Sequence, residues 1–260
     1  MTPSLAPYWT SADGSIVVYH SRWEDVLAAG LLPVRDVALV HADPMYGVGE
    51  RTDRGTRGRG REKGGAIRIL KGAGKGGGAA RDFPPVQGDD KPYDPVELLA
   101  LKRPLVLWGA NHYADKVPGS PSWIVWDKRR DVTPDDNADG ELAWTNLGGP
   151  LRIFRHLWRG LCRDSERGGT PGTNRQLAPT QKPIALSSYV FNRAKLKRGD
   201  LVFVPYLGSG PDLPAAVAMG LRVIACDVER WCCDTAIGRL GAITAERAAE
   251  PVGPLFAGAP

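Results

Sequence analysis

A short string, Asp43-Pro44-Met45-Tyr46, carries residue types that could do chemistry on an exocyclic amino group. The carboxylate of Asp43 and the carbonyl of Pro44 can both accept hydrogen bonds from such a group. This draws the nitrogen lone pair out of conjugation with its heterocycle and aims it at an electrophile. The aromatic face of Tyr46 can stack on the heterocycle once that base has left a duplex. A plain β-turn with proline at its second position also fits these four residues.

A second string, Tyr206-Leu207-Gly208-Ser209-Gly210, follows an apolar run and precedes a helical one. Small residues let the backbone approach a ligand closely, and the amide dipoles of the following helix favour an anionic group. Asp227 lies nineteen residues after Gly208, a spacing that suits a carboxylate gripping ribose hydroxyls. Leu213 stands where the dinucleotide fingerprint has its third glycine, which disfavours NAD. The glycine pair alone also fits an ordinary turn.

A third feature is a basic stretch between Glu50 and Arg81, which carries ten basic residues, three acids and ten glycines. Its charge of +7 exceeds the +5 of the whole chain. So many glycines lose too much backbone entropy to form a stable helix or strand. We therefore predict a flexible cationic loop inserted at about residues 49–82. It either contacts phosphates or is a solvated linker that binds nothing specific.

The elements that must position these residues follow from the pattern of apolar runs. Strands are predicted at residues 16–19, 37–42, 104–108, 122–126, 152–158, 200–205 and 222–227. Helices are predicted at residues 23–29, 95–101, 184–195, 213–219 and 230–240. Strands that alternate with helices indicate an α/β domain with a largely parallel sheet, in which ligands bind outside the carboxyl ends of the strands. Both strings stand at such strand ends.

Composition excludes several classes of protein. The 260 residues are 42% hydrophobic, which is ordinary for a globular domain and rules out wholesale disorder. No apolar run approaches the ~20 residues that span a bilayer, so a membrane protein is excluded. The start of the chain lacks the features of a secretory leader, and the four cysteines contain no C-x-x-C pair, so we expect a reduced, cytoplasmic protein. The four histidines show no metal-ligand spacing, and no metal is expected.

Three strings, taken with their order along the chain, resemble the motifs of the amino-group DNA methyltransferases in which the catalytic motif precedes the cofactor motif. They are Asp43-Pro44-Met45-Tyr46 (D-P-P-Y), Thr180-Gln181-Lys182-Pro183 (T-Q-K-P) and Pro205-Tyr206-Leu207-Gly208-Ser209-Gly210 (P-F-x-G-S-G). Residues 108–113, 123–128, 141–145 and 153–158 are similar to strings of the small phage and prophage enzymes of this group. The resemblance covers roughly residues 16–240.

The resemblance implies a Rossmann-like, seven-stranded S-adenosylmethionine-dependent methyltransferase domain over residues 13–245, with a target-recognition segment at about 128–178 and a flexible tail at 246–260. It implies that Asp43, Pro44, Met45 and Tyr46 hold a flipped base. The implied cofactor-binding residues are Tyr206, Gly208, Ser209, Gly210, Asp227, Lys182 and Pro183. Apart from the resemblance, the charge of the basic stretch predicts that Arg51, Arg54, Arg57, Arg59, Arg61 and Lys63 contact the phosphates of DNA.

The implied activity is methylation of adenine N6 in double-stranded DNA, by a monomer or weak dimer in a bacterial cytoplasm, with a phage or prophage origin and a restriction partner both open. Cytosine-N4 methylation, a decayed enzyme that only binds DNA, and methylation of RNA or protein are the alternatives. Three positions depart from the family pattern. Met45 replaces the second proline of D-P-P-Y, Val204 replaces a frequent aspartate, and Ser21-Arg22-Trp23 replaces a Gly-Asp-Cys string.

Overall fold

A computed structural model describes residues 5–47, 87–130, 138–159, 162–166, 177–178 and 180–249. In these ranges the strands are β1 (Trp9–Thr10), β2 (Ile16–His20), β3 (Val37–Ala42), β4 (Leu105–Trp108), β5 (Trp123–Asp127), β6 (Gly140–Thr145), β7 (Arg152–Arg155), β8 (Trp158–Arg159), β9 (Cys162–Arg163), β10 (Leu201–Val204) and β11 (Arg222–Asp227). The α-helices are α1 (Trp23–Ala28), α2 (Val96–Ala100), α3 (Ile184–Arg193), α4 (Asp212–Met219) and α5 (Arg230–Ala249). Strands and helices thus alternate as the sequence predicts.

Nine of the described strands form one sheet, in the order β1-β2-β11-β10-β3-β4-β6-β5-β7. The five strands from β2 to β4 in this order are parallel neighbours. β6 runs antiparallel to β4 and β5, and β1 runs antiparallel to β2. The predicted largely parallel sheet is confirmed. The seven strands from β2 to β5 carry one further short strand at each edge, β1 and β7.

Two central strands, β10 and β4, are apolar along their whole length because helices cover both faces of the sheet. In β10, Val202 and Val204 face a core closed by α3, α4 and α5. Leu201 and Phe203 point the other way, into a core closed by α1 and α2. This alternation, with every β10 side chain buried, fixes the strand between two helical layers.

Several elements differ from the sequence prediction, among them the short strands β1 and β9, which were not predicted. β6 was not predicted, because Gly140 and Glu141 are poor strand formers; pairing with β4 on one side and β5 on the other imposes the strand. The run predicted at 152–158 is divided into β7 and β8. α5 continues past its predicted end at residue 240 to Ala249, so residues 246–249 of the predicted tail are helical. Good helix formers continue the helix beyond Gly241.

The functional edge of the sheet is set by three adjacent parallel strands. β10 pairs with β3 on one side and with β11 on the other. Their carboxyl ends therefore meet at one edge, and the segments that leave them are the Asp43 string, the Gly208 string and the turn after Asp227. Among the described residues no helix combines the length and apolarity needed to cross a bilayer.

Candidate active site

A cavity of about 900 Å³ opens at this edge of the sheet. The wall contributed by the segment after β3 is made of Asp43, Pro44, Met45 and Tyr46. Other lining residues that the sequence predicted are Lys182, Tyr206, Gly208, Ser209 and Asp227. Two predicted residues support these from elsewhere: Gly210 lies against α5, and Pro183 precedes the first turn of α3. The predicted DNA contacts Arg51, Arg54, Arg57, Arg59, Arg61 and Lys63 lie outside the described residues.

Asp43, the first residue after β3, has each carboxylate oxygen engaged by one donor. The hydroxyl of Tyr46 donates to Oδ1 at 2.7 Å, and Nζ of Lys182 lies 2.6 Å from Oδ2. A carboxylate offers about four acceptor positions, so two remain for a ligand. The side chain is 30% exposed and lines the cavity, which leaves it accessible to a ligand there.

Four charged side chains, which we call the ion quartet, meet at this wall: Asp43, Lys182, Glu141 and Lys128. Nζ of Lys182 lies 3.0 Å from Oε2 of Glu141, and Lys128 pairs with Oε1 of the same carboxylate. Two ammonium groups and two carboxylates make the quartet neutral. Burying charges is tolerable only when they are paired in this way.

Burial and charge act in opposite directions on the quartet. Burial disfavours the ammonium of Lys182, but Asp43 and Glu141 outweigh it and raise its pKa above the ordinary value. Burial likewise disfavours the ionised carboxylate of Glu141, but Lys182 and Lys128 lower its pKa well below the usual range. Both groups therefore stay charged across the physiological pH range.

The Tyr46 ring is fixed between backbone and an aromatic neighbour. It stacks on His112 with ring centroids 5.1 Å apart and 14° between the planes. A Cβ on Gly109 would come within 2.0 Å of the ring, so only glycine allows this close approach. Burial, followed by the nearby carboxylates, raises the pKa of Tyr46 well above its usual value, so the phenol remains a hydrogen-bond donor.

The end of the Asp43 string is tied to the segment at residues 87–92. The Gly47 amide donates to Oδ1 of Asp89 at 2.8 Å. Gly47 has φ of 76°, and a Cβ there would lie 2.3 Å from the carbonyl oxygen of Lys91. The methyl of Met45 reaches toward Gly88, 3.4 Å from where a Cβ would stand. Met45 therefore fills space that the second proline of D-P-P-Y would leave.

The glycine loop after β10 leaves open space at one glycine and close packing at another. Apart from the two neighbouring residues in the chain, no atom of the described residues lies within 4 Å of a Cβ built on Gly208, which has φ of 52°. A Cβ on Gly210 would instead lie 2.3 Å from the Cβ of Ala236 in α5. Gly208 thus keeps the cavity free, whereas Gly210 allows the loop to pack against the helix. The hydroxyl of Tyr206 contacts Nε1 of Trp23 and the hydroxyl of Tyr93, each at 3.2 Å.

Asp227, at the end of β11, joins the loop to the next turn. Its Oδ2 accepts from the Gly208 amide at 2.8 Å and its Oδ1 from the Glu229 amide at 2.9 Å. Burial raises the pKa of Asp227, and the two backbone donors partly oppose the rise. The nearby thiol of Cys233 has its pKa raised by burial to about 12, so it stays protonated. All four cysteines are free.

Arg239 of α5 connects the two motif regions from behind and was not predicted. Its Nη1 donates to the carbonyl oxygen and the hydroxyl of Ser209, both at 3.2 Å. Its Nη2 donates to the Lys182 carbonyl at 3.2 Å and to Oε2 of Glu166 at 2.6 Å. Arg239 lies on the apolar face of α5 that also carries Ala236 and Leu240. A charged residue on such a face indicates a buried partner, and this was the signal in the sequence.

A second unpredicted connection runs through His41 of β3. Nε1 of Trp108 donates to Nε2 of His41 at 2.8 Å, so the ring must carry its proton on Nδ1. Nδ1 lies 2.6 Å from Oδ1 of Asp212, the first residue of α4. This neutral histidine links the strand that presents Asp43 to the helix that follows the glycine loop.

Comparison with known proteins gives the fold. Neither a family model nor a curated protein matches the chain. Among solved structures, PvuII DNA methyltransferase (cytosine-N4-specific) matches with a TM-score of 0.51 at 12% identity, over 90% of this chain and 88% of that one. The chain has the Rossmann-like methyltransferase fold. M1.HpyAVI in complex with SAM matches with a TM-score of 0.49 at 18% identity, over 86% of this chain and 100% of that one.

Within this methyltransferase fold, the structure brings together the two strings that the sequence singled out. Four residues that the structure places in contacts at the site were not predicted from the sequence: Glu141, Lys128, Arg239 and Asp212. Each of them contacts a partner outside its own sequence string. In the described residues no cluster of three or more histidine, cysteine or acidic side chains could hold a metal ion.

Proposed function

We propose that this chain is an S-adenosylmethionine-dependent DNA methyltransferase that methylates N6 of a flipped adenine. One observation carries the proposal: the Asp43 carboxylate and the open glycine loop line the same cavity, at the ends of neighbouring parallel strands. A methyl donor held on one wall would face an amino group held on the other. Placing two reactants in this way accounts for much of the rate of such a transfer.

The cofactor wall fits S-adenosylmethionine. The space above Gly208 is open, and any side chain at this position would occupy it. Each oxygen of Asp227 accepts one backbone hydrogen bond and keeps an acceptor position for a ribose hydroxyl. Tyr206 and Ser209 complete this wall beside the methionine part, while Lys182 and Pro183 border it. When bound, the cofactor supplies a methyl group that its sulfonium already makes electrophilic, so the protein needs no nucleophile of its own.

The base wall fits an exocyclic amino group. Asp43 retains two free acceptor positions, and the Pro44 carbonyl offers another from a rigid residue. Hydrogen bonds to these oxygens leave the nitrogen lone pair available for the methyl group. Tyr46, stacked on His112, supplies the aromatic surface beside Asp43. A base reaches this wall only by leaving its duplex.

The basic stretch supports DNA as the substrate. Ten cations within residues 50–81 would release counterions from a phosphate backbone and give affinity without reading bases. We propose that Arg51, Arg54, Arg57, Arg59, Arg61 and Lys63 make these contacts. Replacing these six by glutamine at constant chain length should weaken binding of all duplex sequences about equally and flatten the salt dependence. Unchanged affinity and salt slope would contradict this assignment.

Cytosine N4 is the second candidate target. The same acceptor geometry serves either amino group, and PvuII DNA methyltransferase, whose fold this chain shares, is cytosine-N4-specific. The remaining alternative is a protein that binds DNA without catalysis. Such a protein would show salt-sensitive DNA binding and no cofactor affinity in calorimetry.

The test is incubation with methyl-labelled cofactor and unmethylated duplex DNA, followed by digestion to nucleosides. Label in N6-methyl-2′-deoxyadenosine supports the proposal, and label in N4-methyl-2′-deoxycytidine selects the second candidate. Asp43→Ala should abolish labelling. Asp36→Ala, which alters an exposed acid in a turn away from the cavity, is the matched control and should label like the parent. Absence of label with the parent protein contradicts both candidates.

A further inference from the structure

Nζ of Lys182 lies within 3.4 Å of three oxygen atoms at the base wall. Its Nζ lies 2.6 Å from Oδ2 of Asp43, 3.0 Å from Oε2 of Glu141 and 3.4 Å from the Tyr46 hydroxyl. The Tyr46 hydroxyl in turn donates to Oδ1 of Asp43. Both oxygens of Asp43 are therefore held from the protein side, which fixes the plane of the carboxylate.

The backbone that carries Lys182 is itself held in place. Nε1 of Trp158 donates to the Gln181 carbonyl at 2.9 Å, and Arg239 donates to the Lys182 carbonyl. Pro183 then begins α3 with its φ restricted by the ring. The position of Nζ thus depends on the side chain alone, and that side chain is only 8% exposed.

Glu141 gives Lys182 a second carboxylate from a separate element. It stands on β6, where it is the register partner of Trp126 in β5, so its backbone is held by the sheet and not by the Asp43 string. Lys128 occupies its other oxygen. Lys182 is therefore shared between a rigid carboxylate in the sheet and the carboxylate that lines the cavity.

We infer that Lys182 and Glu141 are positioning residues that orient Asp43 for the target amino group. The inference rests on the proposed function. Lys182 fixes the orientation of the Asp43 carboxylate. Glu141 forms a second ion pair with the same ammonium group, so that Asp43 keeps its free acceptor positions. When an amino group donates to Asp43, the ammonium group of Lys182 can move toward Glu141 and still have a carboxylate partner.

Removing either residue alone should have different consequences. Without Lys182, the carboxylates of Asp43 and Glu141 approach each other with Lys128 as the remaining quartet cation, and two such groups come to share a proton. Without the charge of Glu141, Lys182 keeps Asp43 as its carboxylate partner and binds it more tightly. Further titratable groups face this site: Tyr46, Tyr113 and His112.

The experiment measures methyl transfer against pH for the full chain. Lys182→Met should lower kcat about 10²-fold and move the acidic limb of the profile up by about 1–3 pH units. Glu141→Gln should lower kcat about tenfold without raising that limb. Lys182→Arg should return the limb to the parent position, because the guanidinium restores the charge. Lys197→Met, an exposed lysine, is the matched control.

Two measurements do not depend on turnover. Cofactor affinity by calorimetry should stay within about twofold in Glu141→Gln, since Glu141 makes no interaction with the glycine loop. Carboxyl carbon NMR should show one carboxylate of Lys182→Met titrating at higher pH than any of the quartet does in the parent. If Lys182→Met does not fold, Glu141→Gln and Lys182→Arg decide the matter through the kcat and pH criteria above.

An unmoved acidic limb and unchanged carboxyl titration in folded Lys182→Met overturn the inference. So does a kcat of Glu141→Gln equal to that of the parent. These outcomes differ from a failure of the proposed function, in which the parent itself transfers no methyl group to DNA.

Discussion

The wall around Asp43 and the wall around the glycine loop are held in place by different interactions. Asp43 is oriented by charged side chains from distant elements, Lys182 directly and Glu141 through it. The glycine loop is held mainly by backbone groups: the Gly208 amide on Asp227 and the Ser209 carbonyl on Arg239. The first wall should therefore be sensitive to charge and pH, and the second to shape and volume.

The contrast suits the two proposed ligands. A cofactor binds in every cycle and needs a permanent cradle, which backbone geometry provides. A target base enters from DNA and must exchange hydrogen bonds at the carboxylate, which a shared ammonium allows. Arg239 contacts both regions, through Ser209 and through the Lys182 carbonyl, so its loss should damage both walls.

Arg239→Met should give the largest effect on stability. It removes the donors that Arg239 supplies to Oε2 of Glu166 and to the Ser209 and Lys182 carbonyls, and breaking such a buried pair costs about 3–5 kcal/mol. Urea unfolding of the parent and variant measures the loss. Arg239→Lys keeps the charge but not the fork of donors and should recover part of it. A loss below about 1 kcal/mol would show that the two walls are independent.

Asp43→Asn should have the next largest effect and confine it to one wall. The amide keeps the size of the side chain but removes the charge that accepts from an amino group. We expect methyl transfer to fall about 10²–10³-fold, as when one charge-stabilising group is removed from an active site. Calorimetry should show unchanged cofactor affinity, and Asp36→Asn should behave like the parent. A weakened cofactor affinity would mean that the walls are coupled.

The two glycines of the loop make a matched pair of smaller effect. Gly210→Ala forces a methyl group to within 2.3 Å of the Cβ of Ala236 and should cost about 1–3 kcal/mol of folding free energy. Gly208→Ala meets no atom within 4 Å, so its strain alone should cost about 1 kcal/mol. Its methyl group enters the cofactor space, so calorimetry should show the greater loss of affinity for Gly208→Ala. The reverse order would contradict the assignment of the open space to the cofactor.

How much of this could be predicted from sequence differs between the two walls. The glycine loop, Asp227 and the Asp43 string could be predicted to lie at strand ends because their signals are local, a strand end followed by small or acidic residues, and the structure places them around one cavity. Most strands and helices were found for the same reason. The partners of those residues were not found, since nothing near Glu141 or Arg239 in the sequence indicates which distant group they contact.

β6 shows why the omission matters. Gly140 and Glu141 have low strand propensity when taken alone. They belong to a strand only because β6 lies between β4 and β5 and pairs with them. Because the strand was missed, its glutamate could not be placed beside Lys182. Tertiary pairing overrides the low strand propensity of these residues, so the ion quartet could not be predicted from the local sequence.

Tyr206→Phe should give the smallest effect and tests how far side chains contribute to the cofactor wall. The change removes the hydroxyl that contacts Nε1 of Trp23 and the hydroxyl of Tyr93 but keeps the ring that lines the cavity. We expect a loss of about 1 kcal/mol in unfolding free energy. Cofactor affinity should be nearly unchanged, whereas Tyr206→Ala, which removes the ring, should lower it clearly. If Tyr206→Phe weakened cofactor binding as much as Tyr206→Ala, the hydroxyl and not the ring would be the contact. The cofactor wall would then depend on a polar side chain in the way the base wall does.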